Sequence, residues 1–362
     1  MKRHTELRRV LSAFWLRVYK NGPTRFKIKY FLAMNHLYTS KKLKISEESN
    51  KTIEKIGQSI RVNWIFRKNT FGDKLLVLTL NKTGSKKLDE TLNEYRDSLE
   101  LIFNSDVLEV REDRNSVSYI LIVKSAKKRE VVIREHNIQS GTDSIDLDNF
   151  SDWKYKNNAH LLISGQTGSG KSYLMYYLIS EMQKLTSKEH IIVCDPKASE
   201  LYDIAKNKLC IKNTYETADD ISFAVKNIVN KMNEIYQNKE ENKEPYFLVI
   251  DEYAALQLQL DKKSFLDLQN NMKLLALKAR AANIHLVLAL QQPNAIDLPT
   301  ALRDQFSIRI GLGNLQAITF KELFGFEKKN VGIRKLGEGY ISFGQTDING
   351  LRSLKLPTII KS

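Results

Sequence analysis

From about residue 159 onward the chain alternates short, wholly apolar runs with longer segments of mixed character. The runs at 160–164, 190–194, 246–250, 284–290 and 306–311 have the length and composition of strands buried on both faces. Between them, residues 171–185, 216–238, 263–282 and 314–323 carry the apolar spacing of helices. Strand and helix in alternation predict an α/β domain with a doubly wound, mostly parallel sheet. The preceding stretch is organised differently. Apolar alternation over 74–80, a helix over 85–103, and strands at 107–111 and 117–123 joined by a turn at 112–116 predict a small α+β module. Residues 134–158 are polar, with Ser140, Gly141 and four aspartates (Asp143, Asp146, Asp148, Asp152), and read as a linker. The first residues show helical spacing over 7–19. The predicted organisation is a basic helical region over 1–49, an α+β domain over 50–133, a linker over 134–158 and an α/β domain over 159–362.

The apolar run HLLIS (160–164) leads directly into Gly165, Gln166, Thr167, Gly168, Ser169, Gly170, Lys171 and Ser172, which fit G-x-x-x-x-G-K-[ST]. The glycines let the backbone turn so tightly that successive N–H groups point at a β-phosphate, at the start of a helix whose dipole also favours anions. Lys171 would sit on the β- and γ-phosphates and the Ser172 hydroxyl on Mg²⁺. About eighty residues later the run YFLVI (246–250) ends in Asp251 and Glu252. Carboxylates at the C-terminal end of a parallel strand are where a nucleotide-binding sheet places its metal and its water. Asp251 would hold the Mg²⁺ shell and Glu252 would polarise the attacking water. Taken alone, the pair also fits acids complementing a helix N-terminus; the phosphate loop decides for the nucleotide. A glutamate directly after the metal aspartate points to an ATPase rather than a kinase or a GTP switch.

Charge adds a partner class. The net charge is +15, from 57 Lys and Arg against 42 Asp and Glu, which suits a polyanion such as nucleic acid. The chain is rich in Lys, Asn and Ile, so part of that excess is compositional. Its distribution is informative: the first fifty residues hold twelve basic against three acidic residues. Aromatics are interleaved there (Phe14, Trp15, Tyr19, Phe26, Tyr30, Phe31, Tyr38), as the core faces of amphipathic helices or as an arm that tracks nucleic acid. Cys194 and Cys210, with no C-x-x-C spacing, fit a reducing cytoplasm. No window approaches an uncharged spanning helix and no secretory leader is evident, so a cytoplasmic protein is expected.

With these residues in hand, the second half resembles the FtsK/SpoIIIE family of DNA translocases, of the FtsK/HerA superfamily, and in particular its soluble mobile-element type. HLLISGQTGSGKS (160–172), DPKASEL (195–201), LVIDEYAAL (248–256), LKARAANIHLVLALQQP (277–293), LRDQFSIRIGL (302–312) and KLGEGYISF (335–343) each look like a family segment. The fourth is similar to K-A-R-A-A-G-I-H-L-V-x-A-T-Q-R-P and is the most specific. Residues 74–132 are similar in layout to the small domain that precedes the motor in this family.

The resemblance implies a RecA-like P-loop NTPase fold, ATP and Mg²⁺ as cofactors, and ATP-driven translocation on double-stranded DNA by a homo-oligomeric, hexameric ring. It gives Arg280 the role of a finger completing a neighbour's site and Gln291 that of a γ-phosphate sensor. From the residues alone Arg280 is a charge at a helix end and Gln291 an amide at a strand tip. Departures are visible: the family's T-Q-R-P is Leu290, Gln291, Gln292, Pro293, and Asn283 replaces a glycine, which is tolerable because Asn accepts left-handed backbone. The chain ends soon after the motor, so neither a winged-helix reader nor a membrane anchor is expected, as in plasmid, phage and conjugative-element relatives. Other readings stay open: a conjugative coupling protein or HerA-like helicase acting on single strands, or an ATP-switched adaptor docking a relaxase, an initiator or a membrane subunit.

Overall fold

The computed structural model describes residues 22–44, 52–69, 72–124, 130–132, 143–238, 244–328, 334–344 and 350–360. The chain divides into two units, Met1–Lys127 and Lys128–Ser362.

In the first unit a helix, Thr24–Met34, precedes a hairpin of β1 (Tyr38–Lys44) and β2 (Thr52–Ser59). An antiparallel sheet follows, built from β3 (Arg61–Lys68), β4 (Lys74–Asn81), β5 (Val107–Glu112) and β6 (Ser116–Lys124) in the order β3-β4-β6-β5. The alternation in β4 turns Leu76, Leu78 and Leu80 into the core, where Val117, Tyr119 and Leu121 of β6 and Leu99 of the helix Arg96–Phe103 join them.

Two expectations change here. The single helix over 85–103 is two, Lys86–Asp89 and Arg96–Phe103. The break has a tertiary cause: the buried Tyr119 hydroxyl donates to the Leu92 carbonyl at 2.6 Å and accepts from the Tyr95 N–H at 3.0 Å, drawing both groups out of a helical ladder. Nor is the region before residue 49 wholly helical, since it contains β1. Its helix Thr24–Met34 buries Ile28 and Phe31 in the core of this unit, where the Phe31 ring meets the Tyr95 ring edge-on. The helix expected over 7–19 lies outside the described residues.

The second unit opens with β7 (Glu130–Val132), which the sequence assigned to the small module. Residues 143–158 are part of this unit rather than linker. The two-residue strands β8 (Ile145–Asp146) and β9 (Asp152–Trp153) pair, and Leu147, Trp153 and Tyr155 are buried in its core. The polar side chains that suggested a linker make the local turn: Asp148 accepts from the N–H groups of Phe150 at 2.7 Å and Lys355 at 3.3 Å.

The main sheet contains β10 (Leu161–Gly165), β11 (Ile191–Cys194), β12 (Thr214–Tyr215), β13 (Tyr246–Ile250), β14 (Ile284–Leu290), β15 (Ile308–Leu312), β16 (Glu338–Phe343) and β17 (Leu351–Lys355). Its order is β12-β11-β13-β14-β10-β15-β16-β17, parallel through β15 and antiparallel in the last two strands. A short β18 (Thr358–Ile360) returns to pair in parallel with β7. Strands buried on both faces cannot alternate polar with apolar, and these do not. Leu162, Leu248 and Leu286 face one core with the helices Ala218–Asn238 and Lys262–Lys278; Leu161, Phe247 and Val287 face the other with the helix Lys171–Met182. The parallel order gathers the C-terminal ends of β10, β11, β13 and β14 along one edge, where such sheets bind ligands.

Candidate nucleotide-binding site

Strand β10 ends at Gly165, and six residues later Lys171 begins the helix Lys171–Met182. The turn between them needs left-handed backbone at Gly168 (φ 78°) and Gly170 (φ 104°). Gln166, Thr167 and Gly168 are exposed, so this arc of the loop faces solvent. From below it is braced. The Gly337 N–H, in the turn before β16, donates to the Ser169 carbonyl at 3.2 Å. At Gly313, just past β15, a Cβ would come within 2.8 Å of the Ser169 Cβ, and one at Gly165 would meet the Ser169 Oγ at 2.5 Å. These glycines leave room for Ser169, whose buried hydroxyl has no protein partner.

Lys171 is buried; its Nζ donates to the Gly165 carbonyl at 2.8 Å and lies 3.5 Å from Glu252 Oε1. Ser172 follows half-buried in the first helical turn. Asp251 and Glu252 stand at the end of β13. Asp251 is buried, its N–H donating to the Cys194 carbonyl and its Oδ1 accepting the Glu252 N–H, both at 2.9 Å. Burial, followed by the nearby negative charges of Asp195 and Glu252, pushes the Asp251 carboxyl up to about 6, with Lys171 opposing. Glu252 has a left-handed backbone (φ 45°), unusual for a residue with a Cβ, and its second carboxylate oxygen lies 3.2 Å from Lys197 Nζ.

Gln291 sits just past β14. Its carbonyl accepts from Ser164 Oγ at 2.9 Å, which ties the ends of β14 and β10 together. Its side chain lines a cleft of about 630 Å³ together with Glu252, Lys197, Gln292 and Ile296. The loop residues 165–172, Asp251 and Glu252 are thus brought into one site, with Gln291 at its edge. Arg280 is not in it. It lies exposed in the turn Ala279–Ala282 before β14, its Nε donating to the Lys156 carbonyl at 3.0 Å. The seven residues of β14 separate it from Gln291, a span of roughly 23 Å at about 3.3 Å per residue. Arg280 cannot serve the phosphate loop of its own chain. Asn283, at φ 55°, adopts the left-handed geometry its glycine-like position requires.

Asp195 and Lys197, Ser164, Gly313 and Gly337 carry weight in the site yet received no role from the sequence. The signal was present in the DPKASEL segment, but which side chain meets Glu252 is a tertiary fact.

The residues present fit a magnesium nucleotide. The exposed loop arc and Lys171 suit phosphates, and a divalent cation would offset the cost of ionising Asp251. Ser172 and Asp251 would hold Mg²⁺. Among the described residues no group of three or more His, Cys, Asp or Glu could hold a metal ion.

A doubly wound sheet with a glycine loop on its central strand and an Asp-Glu pair at the tip of a strand two places away defines a RecA-like P-loop NTPase. Residues 156–292 match the family model described as the helicase HerA central domain. The FtsK domain-containing protein YdcQ of Bacillus subtilis is 29% identical over 253 residues, covering 66% of this chain and 51% of that protein. The DNA translocase FtsK of Borreliella burgdorferi is 30% identical over 177 residues, 42% of this chain and 22% of the translocase. The second unit is thus a RecA-like P-loop domain similar to those of the FtsK and HerA proteins. The chain spans about half the length of YdcQ and about a fifth of that translocase. Among solved structures, the pCW3 conjugation coupling protein TcpA, in its monomer form with ATPγS, shares the fold with a TM-score of 0.55 at 15% identity, over 84% of this chain and 90% of that one. EssC (ATPases 2 and 3) of Geobacillus thermodenitrificans has a TM-score of 0.50 at 13% identity, over 66% of this chain and 49% of that one. No helix among the described residues is long and apolar enough to cross a membrane.

Proposed function

We propose that the chain hydrolyses ATP with Mg²⁺ and couples hydrolysis to movement along double-stranded DNA, as a cytoplasmic ring of six copies. The observation that carries the reading is the approach of the Glu252 carboxylate to Lys171, 3.5 Å apart at the C-terminal edge of a parallel sheet. The loop amides and Lys171 bind and orient the phosphates, and bound Mg²⁺ supplies charge neutralisation there. Glu252 accepts a proton from water as the water oxygen bonds to the γ-phosphorus and the bond to the bridging oxygen of ADP breaks. Gln291, at the cleft edge, senses the γ-phosphate. Arg280, at the other end of β14 from its own loop, is left to complete the site of the next subunit. The basic excess suits a phosphate-tracking surface. The setting we propose is plasmid or conjugative-element transfer or DNA segregation, with a relaxase, an initiator or a membrane subunit as candidate partner.

The test is DNA-stimulated ATPase with displacement of a third strand from a duplex track. Lys171→Ala should abolish hydrolysis with the fold intact, and wild-type turnover in that variant would refute the assignment. Glu252→Gln should bind ATP and turn over at less than about a tenth of the wild-type rate. The matching family model, a helicase's central domain, supports a second reading in which the track is one strand. Stimulation by single-stranded but not duplex DNA would favour it.

A further inference from the structure

We infer that Lys197 is the residue that positions the Glu252 carboxylate for hydrolysis; the inference rests on the reading of Glu252 as the base. Glu252 is bracketed by cations, with Oε1 3.5 Å from Lys171 Nζ and Oε2 3.2 Å from Lys197 Nζ. Phosphate oxygens would compete with this carboxylate for Lys171, one of whose three N–H groups is already given to the Gly165 carbonyl. With Lys171 engaged by the phosphates, Lys197 is, among the described residues, the cation still paired with Glu252, against the negative charges of Asp251 just past β13 and Asp195 just past β11. Without Lys197, repulsion from those aspartates and from the phosphates would leave the carboxylate free to swing away from the water.

The mount of Lys197 supports this role. The turn after β11 is fixed by the fully buried Asp195, whose carboxylate accepts from Ser199 N at 2.9 Å, Ser199 Oγ at 2.7 Å, Tyr202 N at 3.1 Å and Lys197 N at 3.3 Å. The Ala198 N–H closes the turn on the Asp195 carbonyl at 2.9 Å, and the Pro196 carbonyl accepts from Gln259 Nε2 at 2.8 Å. Ala198 is left-handed (φ 47°), as is Glu252 opposite, so two residues with side chains hold costly backbone on the two sides of one ion pair. The Lys197 side chain is 47% exposed and lines the cleft beside Gln291. With the Lys197 end of the pair 47% exposed and Glu252 only 12%, solvent screens much of its contribution to stability, and the rigid mount suits a positional role.

The experiment measures kcat and KM for ATP, and ATPγS affinity, in the full chain carrying Lys197→Ala, Lys197→Arg or Glu252→Gln. Lys197→Ala should lower kcat by about tenfold or more, while KM and ATPγS affinity stay within about twofold. Lys197→Arg, which restores a cation at the same place, should recover kcat to within about threefold of wild type. Unchanged kcat in Lys197→Ala beside an inactive Glu252→Gln would overturn the positioning role and leave the base in place. Weakened ATPγS binding at unchanged kcat would make Lys197 a phosphate ligand and overturn it equally. An active Glu252→Gln would remove the base itself, and the inference with it.

Discussion

Asp251 is a carboxylate that must ionise to serve a cation, set where burial and two neighbouring acids oppose ionisation. Its folded value of about 6 lies above the ordinary 3.8, so the folded protein binds this proton more tightly than the unfolded chain does. The acid therefore costs stability above pH 6, and the cost recedes as pH falls from 6 toward 3.8. Asp251→Asn should raise the melting temperature of the nucleotide-free protein at pH 7.5 by a few degrees, with the gain vanishing near pH 4, while it abolishes magnesium-dependent hydrolysis. Calorimetry of both proteins across that range checks it, and a lower melting temperature of the variant at pH 7.5 would show that the site does not penalise the charge. Asp251 and Lys171 were legible in the sequence because their chemistry is tied to local patterns, a loop and a strand tip. Lys197 was not, since its relation to Glu252 depends on two parallel strands meeting side by side.

Element boundaries were legible where one physical cause dominated. Strands β13 and β14 fall where their apolar runs do, because full burial admits no polar residue. The segment over 85–103 misled because Tyr119, from another strand, takes the backbone groups a continuous helix would use. Residues 143–158 misled because aspartates building a turn look the same in sequence as aspartates facing water. The brace beneath the phosphate loop is also an element-scale device, and Gly313→Ala tests it. A methyl there would press on Ser169, at a backbone angle (φ 70°) that strains alanine. ATP affinity should fall by about tenfold, with the melting temperature reduced by a few degrees at most. Unchanged affinity would show that the loop yields freely.

At the scale of the proposed ring, the exposed Arg280 before β14 and the cleft at Glu252 past β13 lie at opposite ends of the parallel strands, where we propose that they form the two halves of a site shared between subunits. Arg280→Ala and Glu252→Gln would then damage different halves of an interface, and mixing them regenerates some intact ones. DNA-stimulated ATPase of the mixture should exceed the sum of the separate mutants, with sizing to confirm mixed oligomers. An Arg280→Ala protein that assembles and keeps near-wild-type ATPase would reduce the residue to a surface charge.

The short pairing of β7 with β18 has a mechanical meaning. The covalent path from the first unit reaches the second through β7, which lies in parallel register with β18 from Thr358↔Glu130 to Ile360↔Val132. Any force carried along β7 would load this pairing. On the β18 side the next anchors are Tyr173, whose hydroxyl donates to the Pro357 carbonyl at 2.9 Å and accepts the Ile359 N–H, and Leu356, whose N–H donates to the Gly337 carbonyl at 2.9 Å. Tyr173 follows Ser172 in the helix that starts at the phosphate loop, and Gly337 is the residue that grips Ser169. Force reaching β7 would thus pass, within a few bonds of β18, to the cradle of the phosphate loop.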